Sequence, residues 1–189
     1  WVLEQVCQQL AQWRAQGFTD LTVAVNVSVL QLQQNGFATF VLQLLEQYAL
    51  PSRCLELEVT ESLALTPSAV VEANLAQLAV AQVRLAIDDF GTGYASFSFL
   101  RRFSVQKLKI DKSFVDHVLD SPQGATLVRT IIGMGTSLAV TVTGEGIESA
   151  EQGIWLAEQG CTYGQGYHFG RPLMAAEFLA LCQSPAPSA

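Results

Sequence analysis

The sequence predicts an α/β fold: a TIM-like (β/α) barrel, truncated at its amino end, with about six of the eight β/α units in view. Three observations predict it. Short apolar strands alternate with amphipathic helices along the chain, which calls for parallel strands joined by helical crossovers. Half of the 189 residues are hydrophobic and only 14% are charged, as expected of strands covered on both faces. Nearly every strand also runs into a polar residue at its carboxyl end. An open doubly wound sheet could use six strands, but a barrel is the fold whose site draws on several strand ends at once.

The elements follow in order. Residues 1–16 set Leu3, Val6, Leu10 and Trp13 at helical spacing and stop before Gly17. Trp1 opens in mid-pattern with no cap before it, and two strands are wanting for a barrel of eight, so the missing units are expected ahead of Trp1. Residues 21–26 read as a β-branched strand ending at Asn26. Phe37, Val41, Leu44, Leu45 and Tyr48 then mark a helix stopped by Pro51. A strand at 55–59 is followed by Thr66-Pro67, a cap and first-turn proline for a helix carrying Leu75 and Leu78. The strand at 83–87 leads to Asp88-Asp89 and a glycine loop, then a short helix at 96–102 and a strand at 106–110. Ser121-Pro122 repeats the cap-and-proline device, opening a helix with Leu127, Ile131, Met134 and Leu138 on one face. A strand at 139–142, a helix at 150–159, a strand-like segment at 161–169 and a helix at 175–182 complete the series. The barrel domain therefore occupies residues 1–182, and the Ser/Pro/Ala-rich residues 183–189 read as a disordered tail.

Composition excludes some functions. The net charge of −7 argues against long nucleic acid, which needs a basic surface, though a bound metal could still invert the local field for a small anionic ligand. No apolar run has the length of a membrane span and no basic, apolar leader opens the chain. The expected location is the cytoplasm, free or as the cytosolic part of a membrane-attached protein. Cys7, Cys54, Cys161 and Cys182 lack metal-ligand spacing and read as small core residues; His117 and His168 are isolated and read as structural.

The chemistry centres on Asp88 and Asp89. Two adjacent carboxylates repel unless a cation or a proton sits between them, and the following glycines allow close approach of backbone to ligand. By themselves the two acids could equally cap a helix and face water. Alternation puts Glu56 and Glu58 on one side of their strand, with Glu58 nearer the carboxyl end. Lys109 sits inside an apolar strand, an unusual place for an ammonium without a partner. Glu145, Glu148 and the glycine-flanked Gln165 follow the last two strands. Each has an ordinary explanation alone: a turn for Asn26, a cap for Glu145, a snorkelling side chain for Lys109. Together, at successive strand ends, they would converge on one face of a barrel. The donors are oxygens with no histidine among them, which favours Mg2+ or Mn2+ over zinc. Such a cluster suits metal-dependent phosphoester hydrolysis and does not name a substrate.

Laid out in order, the residues resemble the EAL domain family of cyclic di-GMP phosphodiesterases. The matching stretches are Asn26-Val27-Ser28, Glu58-Val59-Thr60-Glu61-Ser62, Asp88-Asp89-Phe90-Gly91-Thr92-Gly93-Tyr94, Lys109-Ile110-Asp111, Glu145-Gly146-Ile147-Glu148 and Gln165-Gly166-Tyr167. The resemblance implies a modified TIM barrel that cleaves cyclic di-GMP to linear pGpG with two Mg2+ or Mn2+ ions. It implies that Asn26, Glu58 and Asp88 hold one cation, and that Asp88 bridges to a second held with Asp89 and Glu145. Lys109 would position or activate the attacking water, Gln165 would support the water network, and Glu61 would anchor the loop from Asp89 to Ser96, a loop tied in this family to metal binding and dimerisation. Tyr167, Gln31 and Asp111 are candidate ligand contacts. The resemblance further implies a homodimer and fusion to GGDEF, PAS or other sensor modules. There are departures. Glu-Ala-Leu is absent from these residues, its place falling upstream of Trp1 with a ligand-contacting arginine, so one metal-binding carboxylate is wanting here. Leu30 stands where many relatives have arginine, and Gly144 where alanine is common. The alternative function is a catalytically silent cyclic di-GMP receptor; enolate chemistry on a similar barrel does not account for the loop motif.

Overall fold

A computed structural model describes residues 1–65, 68–93 and 97–183. The Thr66-Pro67 device, Tyr94, the start of the helix expected at 96 and the tail from 184 lie outside the described residues. The chain runs α1 (Val2–Ala15), β1 (Val23–Asn26), α2 (Val29–Leu32), α3 (Phe37–Gln47), β2 (Leu55–Thr60), α4 (Ala69–Val80), β3 (Arg84–Phe90), α5 (Phe97–Arg102), β4 (Lys107–Ile110), α6 (Lys112–Val115), α7 (Pro122–Leu138), β5 (Thr141–Gly144), α8 (Ala150–Glu158), β6 (Tyr163–Gly164) and α9 (Ala175–Gln183). The six strands form one curled sheet in sequence order, every neighbouring pair parallel, with helices as the crossovers. This is the layout of a TIM-like barrel in part, as six strands rather than eight.

One face of the sheet and the helices over it form the core. Leu55, Leu57, Val59, Leu85, Ile87, Leu108, Ile110 and Val142 are buried there against Leu10 of α1, Leu44 of α3, Leu75 of α4 and Val128 of α7. Each such leucine or isoleucine stabilises the fold by about 1.5–3 kcal/mol. The buried stripe of α7 differs from the expected one: it is Ala125, Val128, Ile131, Ile132 and Gly135, while Leu127 is exposed. Small residues decide this. A Cβ on Gly135 would come within 2.3 Å of Val142 Cγ2, so the helix lies too close to β5 for a larger side chain. Ser121 caps α7 as expected, accepting from the Gly124 N–H at 3.1 Å, with Pro122 at the first turn.

Strand boundaries shift, most tellingly in three strands. β3 continues through Phe90, which places Asp88 and Asp89 inside the strand. β5 starts at Thr141, because Ala139 takes a left-handed conformation (φ 55°) that closes α7. β6 is only two residues long. Beyond it the backbone leaves the sheet to pair with the loop after β5, the Ile147 N–H donating to the Gln165 carbonyl and the His168 N–H to the Ile147 carbonyl. Cys7 and Cys54 are buried as expected, whereas Cys161 is half-buried and Cys182, near the end of α9, is exposed. No helix among the described residues is long and apolar enough to cross a membrane.

Candidate active site

The inner face of the sheet is polar. Register partners on parallel strands share a face, and the ladder sets Asn26 beside Glu58, and Lys109 beside Thr143. Two tiers of charge result. In the lower tier Lys107 Nζ lies 2.7 Å from Glu56 Oε1 and 5.4 Å from the centre of the Tyr163 ring. In the upper tier, at the carboxyl ends of the strands, Lys109 Nζ lies 2.9 Å from each of Glu58 Oε1, Asp88 Oδ1 and Glu145 Oε1. Lys109 is 4% exposed and Glu58 8%, so water screens these pairs little. The lysine embedded in the fourth strand thus has three carboxylate partners.

A break in strand regularity aims the two aspartates. Adjacent strand residues normally point to opposite faces. Here the β3–β4 register slips between Ile87 and Phe90, and Asp89 has φ 54°, a left-handed conformation uncommon outside glycine. With that kink, Asp88, Asp89 and Glu145 each offer an oxygen within 4.8 Å of the others. The loop that follows is held from β2's end. Buried Glu61 accepts the Gly91 N–H at 3.0 Å and the Gly93 N–H at 2.9 Å through one oxygen, Oε2. Gly91 has φ 105°, and a Cβ there would meet the Phe114 ring at 2.8 Å, so both conformation and space require glycine.

Burial, with crowded negative charge behind it, shows in the acids themselves. Burial pushes Glu145 up to about 7, the Lys109 ammonium opposing and Asp88 adding to the rise. Burial likewise raises Glu58, and burial with the Asp88 and Asp111 charges raises Asp89. For Lys109 burial pulls the other way, but its contacts with Glu145, Asp88 and Glu58 prevail and hold it firmly protonated. Asp88 Oδ1 is buried and, apart from its ion-pair contact with Lys109, takes no directed hydrogen bond. An all-oxygen donor set, acids that burial and mutual repulsion keep from ionising freely, and an under-satisfied carboxylate oxygen fit a hard divalent cation.

The other expected residues sit as follows. Asn26 is exposed at the end of β1 beside Glu58. Gln165 is exposed just past β6, its N–H donating to the Gly144 carbonyl at 2.9 Å. Gln31 closes a capping box on α2, accepting from the Ser28 N–H at 2.9 Å, so its amide serves local structure here. Asp111 caps α6, accepting from the Ser113 N–H at 3.0 Å, close enough to Asp89 to raise it. Tyr167 is exposed and carries the Arg171 guanidinium 4.7 Å over its ring. Glu148 stands apart from the cluster, paired with Lys112 on the surface. Sequence reading passed over Thr143, whose buried hydroxyl has no hydrogen-bond partner, and the Glu56–Lys107 tier. The alternation Thr141-Val142-Thr143 beside Lys107-Leu108-Lys109 was the available signal.

Similarity to known proteins agrees with this geometry. The chain is 38% identical over 178 residues to the signaling protein YkoW of Bacillus subtilis, covering 94% of this chain and 22% of that protein. It is 37% identical over 180 residues to the bifunctional diguanylate cyclase/cyclic di-GMP phosphodiesterase MucR of Pseudomonas aeruginosa, covering 95% of this chain and 26% of MucR. The chain thus spans about a quarter or less of the length of these two relatives. Among solved structures, the PaMucR phosphodiesterase in complex with c-di-GMP superposes with a TM-score of 0.89 at 36% identity, over 94% of this chain and 72% of that one. The model of the EAL domain matches residues 1–172, which takes in every strand and the whole inner face. The chain belongs to the EAL domain family.

Proposed function

We propose that this domain hydrolyses one phosphodiester bond of cyclic di-GMP to give linear pGpG, with two Mg2+ or Mn2+ ions bound. The observation that carries the reading is the buried Lys109 ammonium with three carboxylates at 2.9 Å, set beside the kinked Asp88-Asp89 pair. Asn26, Glu58 and Asp88 would hold one cation, and Asp88, Asp89 and Glu145 the other. Bound cations supply positive charge against the phosphate and acidify water. The chain's own residues do the rest. Lys109 gathers the carboxylates in the metal-free site and, with cations bound, offers N–H donors to orient the attacking water. Glu61 fixes the loop through Gly91 and Gly93, which sets where Asp89 points. Gln165 extends the water network, while Tyr167, Gln31 and Asp111 line the approach of the nucleotide. The names of MucR and of its ligand complex support cyclic di-GMP as the substrate.

The same reading includes a homodimer formed through the loop from Asp89, attachment to sensor modules and a cytoplasmic setting; the small share of YkoW and MucR that the chain covers supports attachment. Incubating the full-length protein with cyclic di-GMP and Mg2+ or Mn2+, then separating products by chromatography, tests the activity. Appearance of pGpG that stops on chelation is expected. Calorimetric binding of cyclic di-GMP with no product would make the domain a receptor and overturn the enzyme assignment.

A further inference from the structure

Thr143 is 5% exposed, and its Oγ1 is buried without a hydrogen-bond partner. A buried hydroxyl left so is costly and rare, and valine would fill the same space without the cost. Its direction is fixed by its neighbours. A Cβ on Gly135 of α7 would strike Val142, and a Cβ on Gly144 would strike Leu156 of α8, so both flanking residues face the helices. Thr143 therefore faces inward, beside its register partner Lys109. Among the described residues, the other buried side-chain oxygen lacking a directed hydrogen bond is Asp88 Oδ1, on the strand flanking Lys109 from the opposite side.

An ammonium has three N–H donors, and Lys109 has three carboxylate oxygens at 2.9 Å. Those carboxylates, Glu58, Asp88 and Glu145, are the ones assigned to cations above. A cation that took the same oxygens would draw them from the ammonium, which would then need a new acceptor inside the barrel. We infer that Thr143 is that acceptor: a positioning residue whose hydroxyl receives the Lys109 ammonium, directly or through one water, when cations draw the carboxylates away. The inference rests on the metal-binding reading of this site. It also accounts for the unpaired hydroxyl in a structure where Lys109 still holds all three acids.

Manganese binding to the full-length protein tests it, by calorimetry on wild type, Thr143→Val and Thr143→Ser, with thermal melting of each in the presence of chelator. The expected result is Mn2+ affinity weakened about tenfold in Thr143→Val and restored in Thr143→Ser, with the metal-free melting temperature of Thr143→Val at or above wild type. A crystal structure with Mn2+ bound should show Lys109 Nζ within hydrogen-bond reach of Thr143 Oγ1 or of a water it holds. Equal Mn2+ affinity in wild type and Thr143→Val overturns the inference while leaving the metal site standing, as does a serine variant as weak as the valine one. A wild-type protein that binds no Mn2+ removes the metal reading and this inference together.

Discussion

The two faces of one sheet are built from opposite chemistry. Along β4, Leu108 and Ile110 are fully buried beneath the helices, while Lys107 and Lys109, between and beside them, line the inside. Along β2, Leu55, Leu57 and Val59 alternate with Glu56 and Glu58 in the same manner. A closed barrel interior is normally filled by layers of branched apolar side chains. Here the corresponding positions carry ion pairs, and replacing buried ion pairs with apolar groups is often neutral or stabilising. The inner face is therefore poorly explained by stability, whereas the outer face is well explained by it. The apolar face holds the strands so that the polar face can keep like charges close.

The comparison is broken most directly at Asp88. Asp88→Asn removes one charge from the group around Lys109 and a carboxylate shared by the proposed cation sites. Turnover of cyclic di-GMP should fall by about two to three orders of magnitude, and Mn2+ affinity with it, while urea unfolding of the metal-free protein shifts by less than about 1 kcal/mol. Product formation and denaturation measured on one preparation check both halves. A variant that unfolds in step with its loss of activity would mean the inner face supports the fold after all. On the outer face, Ile110→Ala should do the reverse. It deletes fully buried methyl groups beneath α7 and should cost about 2–5 kcal/mol in unfolding free energy, with KM unchanged in the fraction that remains folded.

Glu61 tests how the two faces are joined. It is buried at the end of a core strand, yet its oxygen holds the backbone of the loop that bears Asp89. Glu61→Ala leaves the Gly91 and Gly93 N–H groups without that acceptor and should lower turnover about tenfold. Limited proteolysis should cut sooner between residues 90 and 93. A loop cut no faster than in wild type would show that other contacts hold it.

Sequence legibility divides along the same line. The strands β1 to β4 can be read because β-branched and apolar residues alternate with charged ones, a signal local to each strand. Alternation even predicts that Glu56 and Glu58 share a face, and both do point inward. What local signals cannot supply is anything that depends on a neighbour. The kink at Asp89 coincides with a slip of β3 against β4, and the run of residues 83–90 gives no hint of it. Val140 carries strand propensity, but the turn closing α7 claims it, its N–H bonding to the Gly135 carbonyl. The segment from 161 reads as a longer strand than it forms because Gly166 must press against Ile147, where a Cβ would lie 2.1 Å from the carbonyl oxygen. For the site, residue types and order are legible, while the meeting of three carboxylates on one ammonium is a product of sheet curvature.

A smaller effect concerns pH. Burial raises Glu145 from 4.5 to about 7, so the folded state holds that proton more tightly than the unfolded chain does. By linkage, its contribution to stability is fully present below about 4.5 and is lost as pH rises through about 7. Glu58 and Asp89 are shifted the same way and add to the trend. Lys109 is raised, and its contribution is lost only above 10.5, outside this window. Metal-free protein should thus melt at progressively lower temperature between those two values, and saturating Mn2+ should flatten the dependence. Thermal melts at a series of pH values, with and without chelator, provide the measurement. A melting temperature that climbs over the same interval would mean that burial does not hold these carboxylates in their protonated form.

The smallest effect should come from His117, a titratable side chain that belongs to neither face. It is exposed in the turn after the short α6, and its backbone carbonyl accepts the N–H of Ser121, the α7 cap, at 3.0 Å. His117→Ala keeps that carbonyl. Turnover and melting temperature should stay within error of wild type, a change of less than about 0.5 kcal/mol in stability. The control is informative because its substitution also removes a potential proton carrier and metal ligand. If it depresses turnover as Asp88→Asn does, charge on the inner face is not what the chemistry depends on, and the division between the two faces fails where it was expected to be sharpest.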